Sequence, residues 1–176
     1  SKYFPSLKAM KVLDRDELVE AKSEATVADL LRHTSGLTYA WSSNKKISQA
    51  LKDAGVLYRD KKVVPMISGM DKVPLLFQPG SDWVYGCSTD VLGGIVEVAS
   101  GIPLDQFFRE RIFKPLQMAD TEFYVPANKA GRFAANYNYK DGKLTLKDDP
   151  KTSQYLENPA FKSGGGGLCS TASDYM

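Results

Sequence analysis

A predicted helix with two glycines in its middle constrains the fold more than any other segment of this 176-residue chain. It begins near Ser88 or Thr89, either of which suits a helix cap, and it ends at Gly101. Gly93 and Gly94 lie inside it and would each cost about 1 kcal/mol relative to alanine. We therefore expect this helix to pack closely against another element. The predicted buried face consists of Val91, Leu92, Ile95, Val96 and Ala99.

The N-terminal half of the chain predicts short strands followed by helices. Residues 10–21 are typical of two strands joined by a polar turn at residues 14–16. A helix follows, with Thr26 as its N-cap, Asp29 three residues later and its end at Gly36. The predicted apolar positions are Val27, Leu30 and Leu31 in this helix, and Ile47, Ala50, Leu51 and Ala54 in a second amphipathic helix.

The C-terminal half predicts a further helix and several shorter elements. Pro103 suits the first turn of a helix whose inner side carries Leu104, Phe107, Phe108 and Ile112. The shorter elements are a strand at residues 123–125, a hairpin at residues 133–147 around Asp141-Gly142, and a helix start capped by Thr171 with Asp174. Because a helix that short is unstable alone, we expect both ends of the sequence to lie within a larger fold.

Composition and charge exclude several classes of function. The net charge is +2 with no basic stripe, which argues against a nucleic-acid partner. No apolar run reaches the ~18–20 residues that a membrane helix needs, and no signal peptide is visible. One histidine, His33, and two cysteines, Cys87 and Cys169, are too few for a zinc site or a disulfide framework. No metal or other cofactor is implied, and the compartment, bacterial cytoplasm or periplasm, stays open.

Two polar segments invite a catalytic interpretation that we do not favour. His33 and Ser35 stand two residues apart, a spacing at which side chains rarely meet, and no orienting acid accompanies them. We interpret them as a structural turn whose polar groups brace a neighbouring loop. The glycine run at residues 164–167 lacks the Lys-Ser/Thr of a phosphate loop. A close backbone approach explains it better than an anion-binding nest.

Tyr85 is the stronger candidate for chemistry. It directly precedes the glycine-bearing helix, and Gly86 beside it permits a close approach of the backbone. A tyrosine at this point could place its hydroxyl in a cleft. Most tyrosines are instead core aromatics with a satisfied hydroxyl group, so the residues alone leave both interpretations open.

Several ordered segments resemble the serine β-lactamase-like hydrolases, which include class C β-lactamases, penicillin-binding DD-peptidases and related carboxylesterases. The segments are LLRHTSGL at residues 30–37, PGSDWVYGCSTDVLGGIVEVASG at residues 79–101, RIFKPLQMADTEFYVP at residues 111–126 and SGGGGLCSTASDY at residues 163–175. The resemblance covers most of the chain from about Thr26 onward. It implies an α+β fold class, in which residues 1–176 form a single incomplete domain. This domain would supply mainly the helical region of a β-lactamase/transpeptidase-like fold, with short strands and a β-hairpin.

The resemblance also implies roles for two residues. Members of this group combine a Ser-x-x-Lys helix, a tyrosine motif and a late Lys-Thr-Gly, His-x-Gly or Trp-Gly-Gly strand. Tyr85 matches the tyrosine, which looks like a general base or proton shuttle for the serine. Cys87 occupies the substrate-binding position two residues later, where the β-lactamases carry asparagine. Because a thiol is a weak donor, this departure favours the esterase-like branch.

The nucleophile that the resemblance implies is missing upstream of residues 30–37. Ser42 with Lys45 and Ser43 with Lys46 match Ser-x-x-Lys by letter, but they lie downstream in a polar stretch, and we interpret them as chance matches unless the topology differs. The late strand motif is also absent. Without an ammonium group about 4 Å away, a tyrosine is a poor base at neutral pH. We therefore expect the isolated chain to be inactive in acyl transfer.

The whole protein is accordingly expected to be a serine hydrolase that acts on carboxylic esters or related amides through an acyl-enzyme. The alternatives are a β-lactamase or DD-peptidase of the same fold, a catalytically silent binding homologue, and an unrelated α+β binding domain. The expected partner is a small-molecule ester or amide, with no nucleic acid and no membrane segment. Surfaces that would pack on the rest of the fold would allow the isolated chain to dimerise.

Overall fold

The structure is a computed structural model that describes residues 2–41, 44–56 and 59–176. The chain divides into two compact units. The first unit comprises Ser1–Phe107 and Ala160–Gly166, and the second comprises Phe108–Pro159 and Gly167–Met176. That residues 1–176 form a single domain stays a prediction.

The first unit consists of one hairpin and a series of helices. Its elements are a 3₁₀ turn at Pro5–Ala9, strands β1 (Lys11–Asp14) and β2 (Glu17–Glu20), helices α1 (Val27–Arg32), α2 (Lys45–Asp53) and α3 (Val63–Ser68), a 3₁₀ turn at Gly69–Lys72, helix α4 (Ser88–Ser100), and the start of α5 (Leu104–Phe108). β1 and β2 pair antiparallel across a turn whose residues Arg15 and Asp16 have φ of 44° and 76°. The predicted pair of strands at residues 10–21 is therefore confirmed.

Helix α1 begins as predicted and ends earlier. Thr26 caps it in a full capping box with Asp29. The predicted end at Gly36 is wrong, because His33 already takes a left-handed conformation (φ 59°) and its N–H donates back into the last turn. Leu30 is the buried member of the predicted apolar face, whereas Val27 and Leu31 are exposed.

Helix α2 follows its predicted pattern. Asn44 caps it by accepting hydrogen bonds from the backbone N–H groups of Lys46 and Ile47. Ile47 and Leu51 are fully enclosed in the core of the first unit. That core also contains Phe4, Val12, Leu30, Leu37, Val63, Met66, Ile67, Met70, Leu75 and Val91.

Helix α4 packs through its glycines, as predicted. An added Cβ at Gly93 would lie 2.9 Å from Leu104 and 3.1 Å from Gly164, and one at Gly94 would collide with Ile67 and lie 3.0 Å from Phe4. Two details of the prediction are wrong. The residue flanking the start is Cys87, which makes no side-chain cap. The buried residues of α4 are Ser88, Asp90, Val91, Gly93 and Gly94, because the close contact occurs on the side of the helix that carries the glycines. Of the residues predicted to be buried, Leu92, Ile95 and Val96 are half-buried and Ala99 is exposed.

The second unit begins where α5 widens into a π-helical turn at Arg109–Phe113. The extra residue of this turn brings Phe113 into the core, so the predicted inward position of Ile112, which is 37% exposed, is wrong. The other elements are a 3₁₀ turn at Ala127–Arg132, strands β3 (Asn136–Lys140) and β4 (Lys143–Asp148), a 3₁₀ turn at Gln154–Leu156, and helix α6 (Ala172–Tyr175). Asp141 and Gly142 form the predicted hairpin turn, with φ of 52° and 75°.

Phe123 and Val125 are buried, but residues 123–125 do not form the predicted strand. Glu122 makes an isolated antiparallel bridge with Cys169, and Val125 N–H donates to the carbonyl of Tyr155. Thr171 caps α6 as predicted, while the Asp174 carboxylate accepts from Asp120 N–H and the Thr121 hydroxyl.

Among the described residues, no single helix is long and apolar enough to cross a membrane. One pair bent by 80°, Ser88–Ser100 with Leu104–Phe113, meets the length and composition criteria when its two parts are taken together.

Candidate active site

Backbone hydrogen bonds fix the loop that carries Tyr85. Val84 N–H donates to the carbonyl of His33 (3.0 Å), and Gly80 N–H donates to that of Thr34 (2.8 Å). Leu76 N–H donates to the carbonyl of Gly36 (2.9 Å). The predicted bracing of a neighbouring loop by the turn after α1 is therefore confirmed, although backbone carbonyls provide most of it.

Gly86 brings this loop against the segment of residues 37–39. An added Cβ at Gly86 would collide with the Leu37 carbonyl oxygen and lie 2.5 Å from the Thr38 Cα atom. These are backbone atoms, so no side-chain rotation would relieve the contact. The loop and the segment can pack at this distance because residue 86 has no side chain.

Small polar groups are buried where the loop enters helix α4. The Ser35 and Ser88 hydroxyls share a buried hydrogen bond of 2.8 Å, and Leu37 N–H donates to Ser35 Oγ. Ser35 is fully buried, so its interpretation as part of a structural turn, and not of a Ser-His pair, is confirmed.

The Cys87 side chain lies in the hydrophobic core of the first unit. Its side chain has no exposed surface, and its thiol donates to the carbonyl of Thr38 at 3.4 Å. Burial, with the nearby charge of Asp90, raises the pKa of Cys87 to about 12, so the group is a neutral thiol at pH 7. In this structure the thiol does not face solvent from which a substrate could reach it.

Aromatic rings lie close to Tyr85. Tyr85 itself is 53% exposed, and its ring centre lies 5.1 Å from that of His33 and 5.6 Å from that of Tyr39. Trp41, which is 74% exposed, stacks on Tyr39 with a centroid distance of 4.0 Å, and Trp83 lies 6.2 Å from His33. The buried His33 Nδ1 atom has no hydrogen-bond partner among the described residues.

A buried carboxylate lies behind this aromatic group. Asp90, on the first turn of α4, is 1% exposed and accepts a hydrogen bond from the Ser163 hydroxyl, whose oxygen in turn accepts from Gly165 N–H at 3.0 Å. Burial raises the pKa of Asp90 above its usual value, and the interactions with Ser163, Gly165 and Tyr39 oppose that change. Burial, together with the charge of Asp90, raises the pKa of Tyr39.

The glycine run contributes to this arrangement through its backbone. An added Cβ at Gly164 would collide with the Thr89 carbonyl and lie 2.9 Å from Gly93 N. One at Gly165 would lie 2.6 Å from Thr89 Oγ1 and 3.3 Å from the Asp90 carboxylate. The predicted close backbone approach is confirmed at these two glycines.

Other predicted residues lie apart from this arrangement or outside the described chain. Ser42 and Ser43 are outside the described residues. Lys46 pairs with Asp16 (3.0 Å) at the exposed tip of the β1–β2 hairpin, which agrees with a chance match to Ser-x-x-Lys. Among residues 2–41, 44–56 and 59–176, no three His, Cys, Asp or Glu side chains converge as they would around a metal ion.

Tyr39 and Asp90 were not identified from the sequence. Tyr39 follows the LLRHTSGL segment by two residues, and Asp90 is a charged residue at the start of an otherwise apolar helix. A carboxylate at that position is also explained by its favourable interaction with the helix dipole. The sequence therefore contains a signal for Asp90, but one with an ordinary structural explanation.

Comparisons with known proteins give a consistent result. The sequence profile of the Beta-lactamase family matches residues 1–176. Protein Rv1367c of Mycobacterium tuberculosis is 35% identical over 181 residues, which cover 100% of this chain and 44% of that protein. Esterase EstB of Burkholderia gladioli is 30% identical over 171 residues, which cover 86% of this chain and 42% of the esterase.

A solved structure extends the comparison to the fold. The unliganded simvastatin synthase LovD of Aspergillus terreus matches with a TM-score of 0.76 at 28% identity, over 99% of this chain and 44% of the synthase. The chain thus spans less than half the length of each of these relatives, which come from bacteria and from a fungus.

Proposed function

The chain belongs to the Beta-lactamase family, and on that basis we propose that the protein containing it is a serine hydrolase acting on carboxylic esters or related amides. We assign Tyr85 as the tyrosine of its active site. Relatives that carry the names esterase and acyltransferase support this assignment. Both reactions pass an acyl group through the same type of covalent intermediate and differ in whether water or another alcohol accepts it.

The observation that carries the proposal is the placement of Tyr85. Its ring centre lies 5.6 Å from that of Tyr39, and its loop is held to the segment after α1 by backbone hydrogen bonds. About half of the Tyr85 side chain nevertheless faces solvent. A tyrosine on a fixed loop with an accessible side chain is suited to moving protons to and from a substrate.

In the proposed reaction a serine hydroxyl attacks the carbonyl carbon of the substrate. The serine proton passes through Tyr85 to the departing alkoxide or amine while the carbon–oxygen or carbon–nitrogen bond breaks. Water then attacks the acyl-serine, Tyr85 takes a proton from the water, and the serine regains its proton. The lysine of a Ser-x-x-Lys segment would favour loss of the Tyr85 proton by its positive charge.

The buried thiol at position 87 supports an ester substrate over a β-lactam. An amide at this position would contact a β-lactam side chain, according to the family resemblance, but Cys87 offers only a thiol that already bonds to Thr38. A direct substrate contact by Cys87 stays a prediction. The burial of Cys87 and its bond to Thr38 favour a role in holding Leu37 and Thr38 against the loop at Gly86. A β-lactamase, a DD-peptidase and a silent binding homologue are the alternatives.

Steady-state and burst kinetics of the protein expressed from its complete gene test the proposal. With p-nitrophenyl butyrate we expect a burst of one p-nitrophenolate per active site, and Tyr85→Phe should lower kcat by roughly 10²–10⁴-fold. Tyr139→Phe is the matched control, because Tyr139 is exposed on the hairpin β3–β4 and should leave kcat unchanged. Full activity of Tyr85→Phe would overturn the role of Tyr85. Turnover of nitrocefin in preference to esters would favour the β-lactamase alternative.

The 176-residue chain alone should give no burst with the same ester. Its residues contain no Ser-x-x-Lys upstream of LLRHTSGL and no late Lys-Thr-Gly-type strand motif. A stoichiometric burst from this chain would show that it contains an unrecognised nucleophile, and mass spectrometry of the trapped acyl group would locate it.

We also propose that the isolated chain associates with itself. Large apolar side chains are exposed in both units, including Leu31 in the first unit and Leu116 and Leu144 in the second. Such exposure is typical of surfaces that pack on another partner. Size-exclusion chromatography with light scattering should therefore show a dimer or larger species, and a monomer at high concentration would contradict this expectation.

A further inference from the structure

We propose that Trp41 and Trp83 determine substrate specificity by binding an apolar ring of the ester substrate next to Tyr85. This inference rests on the proposed function, in which Tyr85 moves protons at the reacting ester. It adds a substrate class to that function, namely esters that carry an apolar ring, such as a phenyl group, in the acyl or the alcohol part. The family resemblance assigns a role to neither tryptophan.

Five aromatic side chains form a continuous row of neighbouring rings, with Tyr85 as its middle member. One neighbour of Tyr85 is His33, whose ring centre lies 5.1 Å from that of Tyr85 and 6.2 Å from that of Trp83. The other neighbour is Tyr39, whose ring centre lies 5.6 Å from that of Tyr85 and 4.0 Å from that of Trp41. Centroid distances up to about 7 Å are typical of paired aromatic rings. We call these five residues the aromatic row.

The aromatic row is exposed at both ends and in the middle. Trp41 is 74% exposed, Trp83 is 60% exposed, and about half of Tyr85 faces solvent. Single exposed apolar residues are ordinary, but large rings that are linked by ring contacts form a contiguous patch, and such patches mark binding sites. Tyr39 is buried and stacks on one face of Trp41, so the opposite face of the Trp41 ring is open to a ligand.

Contacts within the first unit hold the aromatic row in place before a ligand arrives. The Trp41 and Tyr39 rings are within 21° of parallel. Val84 N–H donates to the carbonyl of His33 at 3.0 Å, and Trp83 N–H donates to the Asp82 carboxylate at 2.7 Å. A surface that is already ordered loses less conformational entropy on binding than a flexible one. A ring that stacks on Trp41 therefore requires little rearrangement of the protein.

The position of the nearby carboxylate Asp90 favours a neutral ring over a cation. An added Cβ at Gly165 would lie 3.3 Å from the Asp90 carboxylate and 3.4 Å from the Tyr39 hydroxyl, so Asp90 lies near one part of the row. Asp90 is nevertheless 1% exposed and accepts a hydrogen bond from the Ser163 hydroxyl. A carboxylate buried in this way cannot contact a cation on the exposed rings, whereas a neutral ring needs no ionic partner.

Esters with and without a ring test the proposal in the protein expressed from its complete gene. Benzyl butyrate carries a ring in its alcohol part, ethyl phenylacetate carries one in its acyl part, and ethyl butyrate carries none. Trp41→Ala should lower kcat/KM about tenfold for at least one ring ester, mainly through a higher KM, and less than twofold for ethyl butyrate. Trp83→Ala should act in the same direction by about threefold, because its ring lies farther from its neighbour in the row. Equal decreases for all three esters, or no decrease, would overturn the proposal.

Two variants control for the loss of a large side chain. Trp41→Phe retains an aromatic face and should recover most of the activity on ring esters, whereas a purely structural role of Trp41 would affect all three esters alike. Tyr139 has the same exposed fraction as Trp41 but belongs to the hairpin β3–β4, so Tyr139→Ala should leave all three esters unchanged. If Trp41→Ala does not fold, Trp41→Leu removes the ring and keeps an apolar side chain. An unchanged preference for ring esters in Trp41→Leu would then overturn the proposal.

A pair of esters of the same shape tests whether the ligand is neutral. Butyrylcholine carries a quaternary ammonium group, and 3,3-dimethylbutyl butyrate carries carbon in place of the nitrogen. The neutral ester should be hydrolysed at least as well as butyrylcholine. A preference for butyrylcholine that disappears in Trp41→Ala would show that the rings bind a cation and would overturn the proposal of a neutral ring.

Tyr85→Phe separates this inference from the proposed function. If Tyr85→Phe abolishes turnover and both tryptophan variants keep the wild-type ratio of kcat/KM between ring-bearing and ring-free esters, only the inference about Trp41 and Trp83 is wrong. If Tyr85→Phe is fully active on all three esters, the proposed function of Tyr85 is itself wrong.

Discussion

Gly86→Ala is the most direct perturbation of the contact that holds Tyr85 in place. The added methyl group would collide with the Leu37 carbonyl oxygen and lie 2.5 Å from the Thr38 Cα atom. Because ordinary carbon contacts begin near 3.4 Å, the two backbones would have to separate by roughly 1 Å.

The loss in the free energy of unfolding follows from the contacts that this separation would disturb. Overpacking a filled site typically costs about 1–3 kcal/mol. The displaced segment also carries the thiol–carbonyl bond from Cys87 to Thr38 and lies next to the Ser35–Ser88 bond, and each bond contributes about 1 kcal/mol. We therefore expect a loss of about 3 kcal/mol in the free energy of unfolding. With a denaturant slope near 2 kcal/mol/M, the urea midpoint should fall by about 1.5 M.

Urea titration followed by tryptophan fluorescence is a suitable assay, because Trp41 and Trp83 both lie in the first unit. Gly69→Ala is the matched control in the same unit. Gly69 has ordinary helical dihedrals (φ −83°), and an added Cβ would meet nothing within 4 Å, so this variant should be unchanged or stabilised by about 0.4–1 kcal/mol. A Gly86→Ala protein within about 0.5 kcal/mol of the wild type would refute the reasoning.

Three further predictions concern stability and reactivity. A thiol reagent at pH 8 should label Cys169 well before Cys87, whose burial raises its pKa to about 12, and mass spectrometry of a short reaction checks the order. Hydrogen bonds from its arginine and lysine partners lower the pKa of Asp120. The stabilisation from this group should therefore be present above about pH 4 and lost as the pH falls below that value. In thermal melts at a series of pH values, the Asp120→Asn protein should lack this part of the acid dependence. Ile47→Ala should cost about 2–5 kcal/mol because Ile47 is fully buried, whereas Leu144→Ala on the exposed hairpin should stay within about 0.5 kcal/mol, as urea titrations would show.

The family, the fold and the local position of Tyr85 could be predicted from the sequence. The resemblance to serine β-lactamase-like hydrolases and the β-lactamase/transpeptidase-like fold are confirmed by the family match and by the LovD structure. These predictions succeeded because they depended on ordered motifs and on local rules, such as the capping box at Thr26 and the Asp141-Gly142 turn. The catalytic role of Tyr85 stays a prediction.

The wrong predictions share a physical cause, because tertiary contacts overrode the local sequence preferences on which the predictions depended. The C-terminal rule placed the end of α1 at Gly36, but His33 adopts the left-handed conformation itself, and its carbonyl accepts from Val84 N–H. The electrostatic interaction between Tyr39 and Asp90 joins residues 51 positions apart in sequence. No periodicity or motif within one segment indicates such a pair, because the contact depends on how two segments pack around the glycines of a third.

The cysteine at position 87, where the family resemblance leads us to expect asparagine, has a structural consequence of its own. The Cys87 thiol is fully buried and makes a single weak hydrogen bond, to the Thr38 carbonyl. An asparagine amide in the same enclosed place would bring two donors and a carbonyl acceptor, and each unsatisfied group would cost about 1–3 kcal/mol. It would therefore have to turn outward and displace the backbone around Gly86. Cys87 thus permits the close packing of Leu37 and Thr38 against Gly86.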